Sequence, residues 1–388
     1  MNKPAVIFIA GERQHAGKTV ASLGIISALS KQMDPKDIGY FKPVGQELVK
    51  LPSGERIDKD VRIVQEFTGL DMPDLAILSP VRVVDGVTRD YIAADNPKER
   101  TRAFEQAVIQ AKESLSHKKI IIAEGTGHPG VGSVIGMSNA HVANLLDAKI
   151  LYLVGGGIGR TMDELEVDLS YFAHHHSRVG GVLFNKVLPS KVESMRAVVN
   201  EKLLKRTFPE WDPSLGVFGY MPTVDYLNNP SMQLLAKSFR EARIVENSDR
   251  CAWQKPCRKV NVITQGSDSF VPEGHLAPRD IAVLGAASHR RLKRILDFNA
   301  ALSNEKLGGI ILTCAKPEMP DAIASQWLAE SGIPTLAVTS DAGEVDQVVY
   351  KAFTNTKLQL YDKQKHEQIV QLFETHFDVQ RFMNRFVR

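Results

Sequence analysis

The chain predicts an α/β fold, with a mostly parallel-sheet domain followed by a smaller α/β domain. Short apolar runs rich in Ile, Val and Leu alternate with longer segments of helical periodicity, the pattern of strands joined by crossover helices. Those runs lack clean alternation, as expected where helices cover both faces of a sheet. The 388 residues exceed the about 100–200 of a typical domain, so two domains are expected.

The strands of the first domain are AVIFIA, IGYFKPV, KIIIAEG, AKILYLVG, VGGVLFNKV and LGVFGYMP. Helical periodicity fills segments between them, such as Arg100 to Ser116 and Met162 to Ala173. After Pro222 the pattern changes: SMQLLAKSFREARIVENSDRCAWQKPCRKV is charged and irregular, so a boundary falls near Asp225 and the domains are 1–225 and 226–388. The second domain carries the strands VNVIT, IAVLGA, LGGIILT and TLAVTS, and ends in an amphipathic tail from about Lys363 to Phe386.

Composition bounds the partners. With 43% hydrophobic and 24% charged residues the chain is an ordinary globular one. A net charge of +3 supplies no basic stripe for nucleic acid, and SHRRLKR reads as a solvated helix face. No run reaches the about 20 apolar residues of a membrane span. The N-terminal apolar run is too short for a signal sequence. The three cysteines, Cys251, Cys257 and Cys314, form neither a metal pair nor a disulfide framework, which fits a reducing cytosol and a cytoplasmic protein.

GERQHAGKT, Gly11 to Thr19, follows the first strand and precedes a helix carrying Val20, Leu23, Ile26 and Leu29. A P-loop surrounds a polyphosphate with backbone N–H groups and a helix N-terminus, while its Lys reaches the β/γ-phosphates and its Ser/Thr hydroxyl meets Mg²⁺. Gly17, Lys18 and Thr19 are in place. From Gly11 to Gly17 there are five intervening residues, one more than the usual spacing, and Glu12 holds the usual first-glycine position.

The longer loop resembles that of dethiobiotin synthetase. YFKPVGQ (Tyr40 to Gln46) resembles that family's second-strand YKPV segment, and IIIAEGTGH (Ile120 to His128) its VEGAGG segment. GVLFNKV resembles the family's adenine-side segment, and FGYMP the G-hhP segment that follows it. LAPRDIAVLGAASHRRLKRIL, LGGIILT and GIPTLAVTSD resemble a DRTGG domain, with Ser288–His289 and Cys314–Ala315 in place of its signature residues. The pairing resembles the N-terminal region of long bacterial phosphate acetyltransferases, and Gln46 agrees better with that group than with true synthetases. The first part also resembles the ATP domain of cobyrinic acid a,c-diamide synthase.

The resemblance implies ATP and Mg²⁺ as ligands. Gly11 opens the cradle, and the backbone of His15, Ala16, Gly17, Lys18, Thr19 and Val20 forms it. Lys18 binds the phosphates. Thr19, Asp60 and Glu124 contact the metal, with Asp58 close enough to replace Asp60. By the same resemblance Lys42 would hold the transferring phosphoryl group, which makes Lys18 and Lys42 the expected catalytic pair. Asn185 meets the adenine edge, Leu188 stands where a guanine-reading aspartate would be, and Pro222 falls on the nucleotide side. Plainer readings remain open: Glu124 as an N-cap, Asp60 as a solvated helix start, and Lys42 as a snorkelling lysine at the sheet edge.

Other features carry less. LVGGGIGR lacks the third glycine of a dinucleotide loop, since Arg160 holds that position. His174 to His176 cannot all face one ion from a helix. Cys314 sits in no nucleophile elbow, which argues against a glutaminase. Arg13 either meets phosphate or a partner subunit, or is a surface side chain. Two functions are expected: an ATP-dependent ligase acting on a carboxylate or carbamate, or a nucleotide-sensing module acting on a metabolic enzyme such as a phosphate acetyltransferase. A homodimer is implied, with no nucleic acid or membrane partner.

Overall fold

A computed structural model describes residues 3–72, 74–208, 215–245, 249–264 and 270–387. These divide into two compact units, Met1–Thr223 with His366–Arg388, and Val224–Lys365. The first unit holds a six-stranded sheet of β1 (Ala5–Gly11), β2 (Ile38–Phe41), β3 (Ile120–Glu124), β4 (Lys149–Gly155), β5 (Arg178–Val187) and β6 (Gly216–Pro222), ordered β6-β5-β4-β1-β3-β2. Every pairing in it is parallel. The middle strands are buried along almost their whole length, which is why they read as unbroken apolar runs. Because all six strands run the same way, their carboxyl ends open at one edge, where ligands bind in open α/β sheets. β1 lies between β3 and β4 and leads through the Gly11–Thr19 loop into α1 (Lys18–Ser30).

The helices Lys363–His376 and Val379–Phe386 correct the sequence expectation of a tail on the second domain. From His366 onward they belong to the first unit. Phe373, Phe377, Phe382 and Phe386 form a run of rings, and Phe218 on β6 lies 5.7 Å from Phe382 and 5.3 Å from Phe386. The Asp378 N–H donates to the Phe218 carbonyl at 2.9 Å. Local periodicity fixes an apolar face but does not say which core receives it.

The second unit holds a five-stranded sheet: Arg243–Val245, Thr335–Ala337, Gly309–Thr313, Ile281–Gly285 and Val260–Val262 in spatial order. Only the first pairing is antiparallel. Successive residues face opposite layers. Ala282, Leu284, Ile310 and Leu312 pack with Leu292 and Ile295, whereas Ile281, Val283 and Ile311 pack with Met232, Leu235 and Val349. The segment after Pro222 is more ordered than its sequence suggests, with a helix at Met232–Ser238 and the edge strand Arg243–Val245. Ile244 on that strand is exposed, so no alternation marks it; residues 246–248 lie outside the described residues. No helix among the described residues is long and apolar enough to cross a membrane.

Candidate functional site

The loop after β1 needs two left-handed residues, His15 (φ 63°) and Gly17 (φ 95°). A Cβ on Gly17 would collide with the Asn185 amide, so both conformation and space require glycine there. Gly11 ends β1 and Ala16 is buried, whereas Val20 lies half-buried in the first turn of α1. Asn185 Nδ2 donates to the Ala16 carbonyl at 2.8 Å, and Lys186 Nζ to the His15 carbonyl at 2.9 Å. The residue expected at the adenine edge therefore also braces the loop from β5. Glu12 accepts from the Gly155 N–H at 3.1 Å; burial and neighbouring Glu164 push its pKa up to about 7. The glycine-rich turn after β4 is thus tied to the phosphate loop and leads into the helix Ile158–His174. Pro222 closes β6, opposite Val187.

Lys18 is 7% exposed, and its Nζ donates to the carbonyls of Arg13 (2.9 Å) and Gly127 (3.0 Å). Burial, then the charge of Lys42, lowers its pKa to about 8. Beside it lies a compact polar cluster. Glu124 ends β3 fully buried, and its two oxygens take four donors: Thr19 Oγ1 at 2.9 Å and Lys42 Nζ at 3.1 Å on Oε1, Ser22 Oγ at 2.8 Å and Tyr40 Oη at 2.9 Å on Oε2. Lys42 also hydrogen-bonds Asp60 and lies 3.7 Å from Asp58. Burial alone would lower the Lys42 pKa, but Asp60, Glu124 and Asp58 outweigh it and hold the group well above its ordinary value.

The two aspartates differ in what they hold. Asp58 is the N-cap of α2 (Lys59–Thr68): Oδ1 accepts from the Asp60 N–H at 2.9 Å, and Oδ2 from the N–H groups of Gln46 (3.0 Å) and Glu47 (3.3 Å). Burial pushes its pKa up to about 6, against the pull of Lys42. Asp60 turns toward the cluster; burial opposes its ionisation, yet Lys42 prevails and keeps its pKa below the usual carboxylate range. Asn139 fastens the loop after Glu124, its Nδ2 donating to the Thr126 (2.8 Å) and His128 (2.7 Å) carbonyls.

Lys18, Thr19, Lys42, Asp60 and Glu124 therefore gather at one edge of the sheet. Thr19, Asp60 and Glu124 offer one hydroxyl and two carboxylates, hard oxygen donors of the kind Mg²⁺ takes alongside phosphates and waters. Sequence reasoning missed Ser22, Tyr40 and Asn139. Ser22 lies one helical turn beyond Thr19, and Tyr40 two residues before Lys42 along the same chain segment, so periodicity would have put both on the site face; Asn139 had no such signal. Elsewhere His174 and His176 are exposed and His175 half-buried at a helix end, and Cys314 is exposed. Among the described residues no cluster of His, Cys, Asp and Glu is arranged to hold a metal on its own. Lys42 bridges the Asp60 and Glu124 carboxylates.

Residues 5–231 match the AAA domain family. The chain belongs to that family, and its first unit is a P-loop ATPase-type, nucleotide-binding domain. Solved structures with a related arrangement include the MinC:MinD cell division complex of Aquifex aeolicus (14% identity, 57% of this chain and 83% of that chain, TM-score 0.34). A ParA family ATPase of Chlorobium tepidum is similar too (13% identity, 58% and 87%, TM-score 0.33). So are the CBS and DRTGG domains of the regulatory region of Clostridium perfringens pyrophosphatase, complexed with diadenosine tetraphosphate (13% identity, 40% and 71%, TM-score 0.24). Likenesses this distant say nothing of this chain's ligands.

Proposed function

We propose that the first unit binds Mg²⁺·ATP and transfers its γ-phosphoryl group to a carboxylate or carbamate oxygen of a small molecule, in the manner of dethiobiotin synthetase. The observation that carries this reading is Lys42: a buried ammonium held between Asp60 and Glu124, beside a phosphate loop bearing Lys18 and Thr19. Lys18 and the loop N–H groups hold the β- and γ-phosphates. Thr19, Asp60 and Glu124 would hold Mg²⁺, whose charge offsets that of the phosphates. Lys42 orients the γ-phosphoryl group and the acceptor oxygen, supplying positive charge where the transition state needs it. The acceptor oxygen bonds to the γ-phosphorus as the bond to the β,γ-bridging oxygen breaks and ADP leaves. An amine then attacks the acyl carbon, loses its proton to solvent, and expels phosphate. Asn185 on the base side, with Leu188 at the guanine-reading position, favours ATP.

A nucleotide sensor is the second reading. It is supported by the second unit, a sheet with its own core on both faces, for which phosphoryl transfer in the first unit gives no use. Under this reading that unit is a DRTGG-like domain acting on a metabolic enzyme such as a phosphate acetyltransferase. A homodimer fits either reading. The test is a thermal-stability screen of metabolites with a non-hydrolysable ATP analogue, followed by phosphate release from ATP. Stabilisation follows mass action, so an acceptor carboxylate or amine raises Tm beyond the nucleotide alone and then accelerates phosphate release. Release that no metabolite accelerates would favour the sensor.

A further inference from the structure

We infer that Tyr40 and Ser22 are positioning residues that fix Glu124 so that one carboxylate oxygen is presented to the metal–nucleotide complex. The inference rests on the proposed Mg²⁺·ATP site, and concerns residues to which that reading gives no role.

A carboxylate has two oxygens and about four lone-pair sites, and in Glu124 they are divided unequally. Oε2 accepts from Ser22 Oγ at 2.8 Å and Tyr40 Oη at 2.9 Å. Both donors are fully buried, one on α1 and one on β2. Oε1 accepts from Thr19 and Lys42. Thr19 is half-exposed, and the ammonium of Lys42 has Asp60 as an alternative partner. One oxygen is held by two fully buried hydroxyls, and the other by a half-buried hydroxyl and an ammonium shared with Asp60. A cation can therefore replace the donors on Oε1, but not those on Oε2. Hydrogen bonds to a metal-binding carboxylate orient it, and losing one typically costs about 10–100-fold in metal affinity.

The experiment compares binding of a fluorescent ATP analogue in Mg²⁺ and in EDTA, for the wild type, Tyr40→Phe, Ser22→Ala and Tyr220→Phe. Tyr220 is the control: its hydroxyl also donates inside the first unit, to the Val199 carbonyl at 2.7 Å, but it does not touch Glu124. The expected result is that Mg²⁺ tightens wild-type and Tyr220→Phe binding alike. Tyr40→Phe and Ser22→Ala lose about 10–100-fold of that tightening, with binding in EDTA unchanged. If Tyr40→Phe fails to fold, Ser22→Ala carries the test. Equal tightening in all four proteins, or equal losses with and without Mg²⁺, overturns the inference and leaves the site intact. A wild type whose binding ignores Mg²⁺, or that does not bind the analogue, overturns the metal–nucleotide reading and the inference with it.

Discussion

Replacing Lys42 with alanine is expected to cost the first unit about 3–5 kcal/mol, the usual penalty for removing one partner of a buried ion pair. Asp60, Glu124 and Asp58 would remain buried around an empty position. The pH dependence should change with it. In the wild type Asp60 has a depressed pKa, so its contribution is present above the unfolded value and is lost as pH falls through the folded one. Asp58, pushed up to about 6, acts oppositely: the folded state binds the extra proton, and stability falls as pH rises from the unfolded value through about 6. Without Lys42 the strongest pull holding both pKa values down is gone, so burial raises both and both act in the second sense. Urea unfolding should therefore show the variant's deficit larger at pH 7.5 than at pH 5. Under the ligase reading the same variant forms no product but still binds ATP, because Lys18 and the loop are untouched. Unchanged unfolding at both pH values would mean that Lys42 does not neutralise the cluster.

Gly24→Leu should detach the C-terminal helices from the first unit. Gly24 lies in the middle of α1, and a Cβ there would fall 2.6 Å from Cε2 of Phe373, with other ring atoms nearer still. Replacing a mid-helix glycine normally gains about 0.5–1 kcal/mol, but overpacking a dense core costs about 1–3 kcal/mol and a leucine needs more space than one methyl group. The steric term wins. Phe373 is buried at 2% exposure, so its displacement also exposes the neighbouring phenylalanines. Limited proteolysis should then cut within residues 363–388, where the wild type resists. Phe373→Ala in the same chain should restore part of the stability, a non-additivity expected only of residues in contact. Equal protease resistance in Gly24→Leu and wild type would show that the ring does not pack on this helix.

Much of this was readable from the residues, for physical reasons. Six apolar runs become six parallel strands because a strand covered on both faces must be apolar throughout. The phosphate loop was readable because Gly-Lys-Thr stands between a strand and a helix, the context that motif requires. Lys42 and Glu124 were findable only through resemblance, since one follows a buried strand and the other ends one, and no local rule says that two such ends meet. Choosing between Asp58 and Asp60 needed coordinates: both stand at a helix start, and only the hydrogen bonds show that one caps α2 while the other turns toward Lys42. The aromatic helices at the C-terminus were assigned to the wrong core because an amphipathic face carries no address. The strand Arg243–Val245 was missed because three residues at a sheet edge leave no period to detect.

The central claim is that the loop from Gly11 to Thr19 grips a triphosphate through its N–H groups and the Lys18 ammonium. Calorimetric titration with Mg²⁺ and a non-hydrolysable ATP analogue, for the wild type and Lys18→Ala across pH, tests it most directly. The account predicts saturable one-site binding that Lys18→Ala weakens severely. Only protonated Lys18 attracts phosphate, so wild-type affinity should decline above about pH 8, where the free group loses its proton. Absence of binding by the wild type, or equal affinity in the two proteins, would contradict it.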